Sequence, residues 1–223
     1  MIMFANALPG IVRAIHRNTF RSGIVLGAVV LVWGAIVLAG MGALIHYENT
    51  PGAAARSPKQ WPQQSGLVPS DSVATLVMFV HPHCPCTRAS LGELEIIMAR
   101  CQTRPRTHVV FLQPTQFEDG WAHSGLWKHA RSIPEVTCHL DHNGREAQMF
   151  GALTSGQAVV YDANGRLRFQ GGITSSRGHA GDNVGRASLM TVLQHQKTQP
   201  PATKEFCVFG CPLFSDPEVS RKN

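Results

Sequence analysis

A chain of 223 residues provides one ordinary domain plus an extra segment, and its 15 % of charged residues reflects in part a long uncharged run near the N-terminus. The net charge of +6 includes three arginines beside that run. No basic stripe is interleaved with aromatic residues, which excludes nucleic acid as a partner.

Residues 1–21 carry Arg13, Arg17 and Arg21 and are predicted to be cytoplasmic. From Ser22 to Ile45 no residue is charged. As a helix this run is about 36 Å long, and roughly 20 residues suffice to cross a bilayer. The apolar part of a secretory signal is shorter, about 7–15 residues, so 22–45 predicts an uncleaved transmembrane helix rather than a cleaved signal. Behind the run come only His46 and Glu48, then Arg56 and Lys59. This charge bias predicts a single-pass protein of the inner or plasma membrane, with its N-terminus in the cytoplasm and its C-terminal domain outside, in the periplasm.

Residues 46–72 are rich in Pro, Gly, Ser, Ala and Gln and read as a linker. The globular domain is expected over 73–196. Thr75–His81 is its first strand. A helix over Pro85–Cys101 follows, because Leu91, Leu94, Ile97, Met98 and Cys101 share one face. Thr107–Leu112 is the next strand, Phe117–Ala130 a helix, Glu135–Leu140 a third strand and Asn143–Phe150 a short helix. Gln157–Tyr161 and Arg166–Gln170 form a hairpin about the turn Asp162-Ala-Asn-Gly165. A glycine-rich loop leads to a last helix, Gly185–His195. The tail, 197–223, holds an apolar patch, Phe206-Cys-Val-Phe-Gly-Cys-Pro-Leu-Phe214. Strand–helix alternation closed by a hairpin and a helix argues an α/β domain with a central mixed sheet flanked by helices. Sites in such open sheets lie at the C-terminal ends of the strands.

The chemistry concentrates at that edge, in His81-Pro-His-Cys-Pro-Cys-Thr-Arg88. With Cys84 as N-cap, Pro85 takes the first helical position, where its missing N–H costs nothing. The helix dipole lowers the pKa of Cys84, and His83 and Arg88 are candidates to lower it further. Cys84 is therefore the expected attacking thiolate and Cys86 the resolving thiol. Both are expected to be reachable from solvent. Side chains two apart on a helix diverge, so a Cys84–Cys86 disulfide forms off its preferred geometry, and a strained disulfide is an oxidising one.

Three segments resemble the thioredoxin-like superfamily, in its membrane-anchored, extracytoplasmic branch. They are FVHPHCPCTRAS, Phe150–Gly165, and the return strand GRLRFQGG. Together they frame residues 75–195. The pattern is also similar to a group labelled RedB-like. Two departures stand out. The dithiol is C-x-C where the family has C-x-x-C, and Gly156 occupies the place of the family's cis-proline. The resemblance implies a thioredoxin-like fold, thiol–disulfide exchange with protein thiols or disulfides, and a substrate-holding backbone at Thr154, Ser155 and Gly156; no cofactor is expected, since the sequence has no phosphate-binding glycine motif in a strand–turn–helix setting.

Two other classes compete. His81, His83, Cys84 and Cys86 lie within six residues, and thiolate with imidazole suits copper or zinc. Gly156 would leave open space beside those sulfurs. A redox-inert scaffold is the third class. Elsewhere, six cysteines permit disulfides without fixing their connectivity. Cys207 and Cys211 are expected to form a structural disulfide, or else to exchange with the helix-terminal thiols. Cys101 and Cys138 read as core. In the long polar loop Thr174–Asn183, Arg177, His179 and Asp182 could orient a substrate or supply a base.

Overall fold

The computed structural model describes residues 8–53, 56–118, 120–194 and 205–214, with side chains from residue 23 onward. The chain divides into two compact units, 1–47 and 48–223. In the first, helix α1 (Leu8–Asn49) contains a stretch, Gly23–Asn49, that is long and apolar enough to cross a membrane. The Ile, Leu and Val side chains of that stretch are exposed.

The second unit is built on β1 (Thr75–Val80), whose six residues are all buried. A strand covered on both faces reads as a continuous apolar run, which is what TLVMFV is. β1 pairs in parallel with β2 (Arg106–Gln113), and β2 in parallel with β3 (Val136–His142). On its other side β1 pairs antiparallel with β4 (Gln157–Tyr161), which forms the expected hairpin with β5 (Leu167–Gly171). Asp162 holds that turn by accepting from the amides of Asn164 and Arg166, both at 2.9 Å. A two-residue strand, β6 (Glu205–Phe206), adds beside β5, giving the order β3-β2-β1-β4-β5-β6.

Helix α2 (Pro85–Arg100) buries Leu91, Leu94, Ile97 and Met98 against one face of the sheet, joined there by α3 (Gly125–Ser132) and α5 (Val184–Gln194). The other face holds a second core around Phe79, Phe150 and Tyr161, covered in part by α4 (Arg145–Met149). This is the thioredoxin-like fold, a central mixed sheet flanked by helices.

Two expectations change. Helix α3 starts at Gly125, not Phe117, because Ser124 caps it by accepting from the Leu126 amide, and the preceding residues form turns. The stretch 56–72 is not a free linker. Trp61 and Leu67 are buried in the second core, and the Trp61 amide donates to the Gly165 carbonyl at 2.8 Å. Residues 195–204 and 215–223, part of the expected last helix and tail, lie outside the described residues.

Candidate active site

Cys84 caps α2 with Pro85 at the first helical position, as its spacing predicts. Three hydrogen bonds then tie this turn to the loop before β4. The His81 amide donates to Ser155 Oγ (2.9 Å), Ser155 Oγ shares a hydrogen bond with Thr87 Oγ1 (2.8 Å), and Thr87 Oγ1 donates to the His81 carbonyl (3.1 Å). The ring of hydrogen bonds sets Thr154–Gly156 directly beside the thiols. Gly156 has φ of 93°, a conformation glycine adopts without steric cost.

A third thiol completes the site. The Ser155 amide donates to the Cys211 carbonyl (2.8 Å), and the Leu213 amide to the Leu153 carbonyl (2.9 Å). Thr154 and Pro212 form an antiparallel bridge between them. The tail thus runs as a strand along Leu153–Ser155. The approach is close enough that a Cβ on Gly210 would collide with the Ser155 carbonyl oxygen. Arg177 clamps the tail from the loop side, donating to the carbonyls of Gly210 and Thr50.

The sulfurs differ in ionisation. Burial alone would push the Cys84 thiol up. Hydrogen bonds from the Cys211 thiol and amide, then from the Thr87 and Cys86 amides, overcome that cost and hold Cys84 below the ordinary thiol range. The sulfur makes no regular side-chain cap of α2, so the helix amides act on it as close dipoles. Burial raises Cys86, and the neighbouring Cys84 charge raises it further, opposed by Arg177. Cys211 is pushed up to about 12 by burial and by its hydrogen bond to Cys84. The cluster is therefore one thiol shifted toward ionisation beside two shifted away from it.

Several expected features fall elsewhere. Cys84 and Cys86 are not open to solvent; they are 1 % and 7 % exposed, because the tail and the loop carrying Arg177 and Gly178 lie over them. Arg88 and His83 are exposed, and the stabilising contacts to Cys84 come instead from Cys211 and backbone amides. Cys207 and Cys211 do not form a disulfide: Cys207 is exposed while Cys211 faces Cys84. The rings of His81 and His83 pack edge-on against Trp121. Among the described residues no group of three or more His, Cys, Asp or Glu side chains is arranged to hold a metal ion. Nor does Gly156 open space beside the sulfurs, since a Cβ there would lie 2.7 Å from Ser90 Oγ. His179 is exposed and bonds to the Arg177 carbonyl through Nδ1 at 2.8 Å. Cys101 is buried in the core and Cys138 is half-buried, its thiol pushed up to about 11 by burial.

Sequence reasoning missed the support beneath the thiols. Glu93 of α2 is fully buried and pairs with Arg186 of α5, which also binds Asp182, while Glu93 accepts from the Gly181 amide. This network fixes the end of the 174–183 loop against the thiol-bearing helix. The signal was present as a lone carboxylate on the same helical face as Ser90 and Ile97. Beside the site, a cavity of about 490 Å³ is lined by His81, Leu112, Phe117, Trp121, Leu213 and Phe214.

Fold and site together define a thioredoxin-like domain with a cysteine at the N-terminus of its first helix. The sequence matches no family model and no curated protein. Among solved structures it is similar to an uncharacterized conserved protein from Geobacillus kaustophilus, with 16 % identity and a TM-score of 0.52 over 76 % of this chain and 93 % of that one. It is also similar to the hypothetical protein SMc02350 from Sinorhizobium meliloti, with 18 % identity and a TM-score of 0.51 over 73 % and 97 % of the two chains. A pneumococcal exposed lipoprotein thioredoxin from Streptococcus pneumoniae aligns with 15 % identity and a TM-score of 0.41 over 55 % and 84 %. At these identities the first two likenesses are of fold alone.

Proposed function

We propose that this chain is a membrane-anchored thiol–disulfide oxidoreductase, of oxidant or isomerase type, that acts on protein thiols and disulfides outside the cytoplasm. The observation that carries this reading is the Cys84 sulfur, held below the ordinary thiol range at the start of α2 and flanked by two further thiols. A thiolate is the nucleophile of exchange. A stabilised thiolate is also a good leaving group, which makes the corresponding disulfide oxidising. Cys84 attacks a substrate sulfur to form a mixed disulfide, and a neighbouring thiol resolves it. The backbone of Thr154–Gly156 holds the substrate chain. The uncharged stretch 22–45 anchors the domain, with the N-terminus in the cytoplasm, and the RedB-like group is the finer affiliation this reading favours.

The test is redox titration of the full-length protein in detergent, with thiols trapped by a mass-tagged maleimide. Two thiols should be lost reversibly, and Cys84→Ser should abolish the response. The midpoint should be more positive than the roughly −270 mV of thioredoxin. Thiols that respond only to added copper or zinc would replace this reading with metal binding. Thiols that respond to neither would leave a scaffold.

A further inference from the structure

A peptide that adds a strand to exposed backbone gains main-chain hydrogen bonds from the groups it pairs with. Beside the thiols of this domain those groups are the Ser155 amide and the Leu153 carbonyl, and the tail satisfies both. Pro212 bridges Thr154 between them, and Cys211 lies against the Cys84 sulfur. The captured strand therefore belongs to the chain itself and presents a cysteine where a substrate would present one. Resting on the thiol-exchange reading above, we propose that the tail is a built-in substrate strand and that Cys211, rather than Cys86, is the thiol that closes on Cys84.

Both thiols meet the Cys84 sulfur, Cys86 by a hydrogen bond along the same turn, but a Cys84–Cys86 disulfide would have to close across Pro85 alone at the helix start. Cys211 arrives from a separate strand and is free of that constraint. Gly210 permits the approach, because any side chain there would strike the Ser155 carbonyl. Arg177 reinforces it by binding the Gly210 carbonyl. An incoming substrate strand competes with the tail for the same two backbone groups.

The chemistry balances with a substrate disulfide as oxidant. The Cys84 thiolate attacks one substrate sulfur; the Cys84–substrate bond forms and the substrate disulfide breaks. Cys211 then attacks the Cys84 sulfur; the Cys84–Cys211 bond forms and the mixed disulfide breaks. The two substrate sulfurs leave as one thiol and one thiolate, carrying away the Cys211 proton. The substrate gains two electrons and the Cys84–Cys211 pair loses them. Run in reverse, the internal disulfide oxidises a substrate dithiol.

The test oxidises full-length protein in detergent with oxidised glutathione, traps the remaining thiols and maps the disulfide by peptide mass. A Cys84–Cys211 linkage is expected in the wild type and in Cys86→Ser, and its loss in Cys211→Ser. Gly210→Ala should slow closure at least tenfold and speed alkylation of Cys84 in the reduced protein by a similar factor. A wild-type linkage of Cys84 to Cys86, or of Cys207 to Cys211, would overturn the proposal and leave thiol exchange standing. Absence of any reversible disulfide would overturn both.

Discussion

The segments 56–70 and 206–214 both lie against the sheet and both pack apolar side chains there, but beside the thiols the second is held by main-chain pairing. In the first, Trp61 packs edge-on against Phe150 (4.9 Å) and Tyr161 (5.3 Å), Leu67 is buried beside them, and the Tyr161 hydroxyl donates to the Pro58 carbonyl at 2.9 Å. In the second, Val208 and Leu213 are buried, but the contacts at the site are main-chain hydrogen bonds and a pair of sulfurs. Buried aromatic surface is specific to its pocket and contributes stability wherever it sits. Main-chain pairing is generic, and another extended strand satisfies the same donors and acceptors. The first segment is a brace, and the second is a cover that can be exchanged.

The largest effect should come from breaking the brace. Trp61→Ala should cost about 3–5 kcal/mol in urea unfolding, while the rate of Cys84 alkylation in the native protein stays as it was. Faster alkylation in this variant would mean that brace and site are one unit.

Breaking the cover should do the reverse. Cys211→Ala should change stability by about 1 kcal/mol or less, yet move the midpoint of Cys84 alkylation upward toward the ordinary thiol range. It removes the thiol that donates to the Cys84 thiolate. An unmoved midpoint in a pH series of alkylation rates would assign the whole effect to the backbone amides.

A smaller effect sharpens the same contrast through pH. Cys211 has a folded-state pKa of about 12, above that of a free thiol. Its contribution to docking is therefore complete below the ordinary thiol range and is lost as pH rises toward about 12. Cys84 has the opposite sign: its pKa is lowered, so its contribution is present above the ordinary thiol range and is lost as pH falls through the lowered value. Digestion of the tail by an alkaline protease should accelerate between neutral and alkaline pH in the wild type, and less so in Cys211→Ser. Equal acceleration in both would remove Cys211 as the cause.

Much of the frame was legible from residue patterns. The all-apolar run 75–80, the shared face of Leu91, Leu94 and Ile97, and the Asp162–Gly165 turn each specify an element through local periodicity or turn chemistry. The cap at Cys84 and Pro85 was legible for the same reason. Two things were not. Trp61 looked like part of a polar linker because its pocket, formed by Phe150 and Tyr161, is assembled from residues about ninety positions away. Glu93 was not legible as a support of the site because its partner, Arg186, sits on another helix.

Local order along the chain determined an apolar helix suited to a bilayer, a thioredoxin-like sheet, and a cysteine at the start of α2, since each depends on neighbours within a few residues. Tertiary structure alone decided which thiol is held below the ordinary range, what covers it and which thiol from outside the turn it meets. Those depend on Ser155 drawing in the tail through its amide, a contact that spans more than fifty residues and leaves no trace in local periodicity.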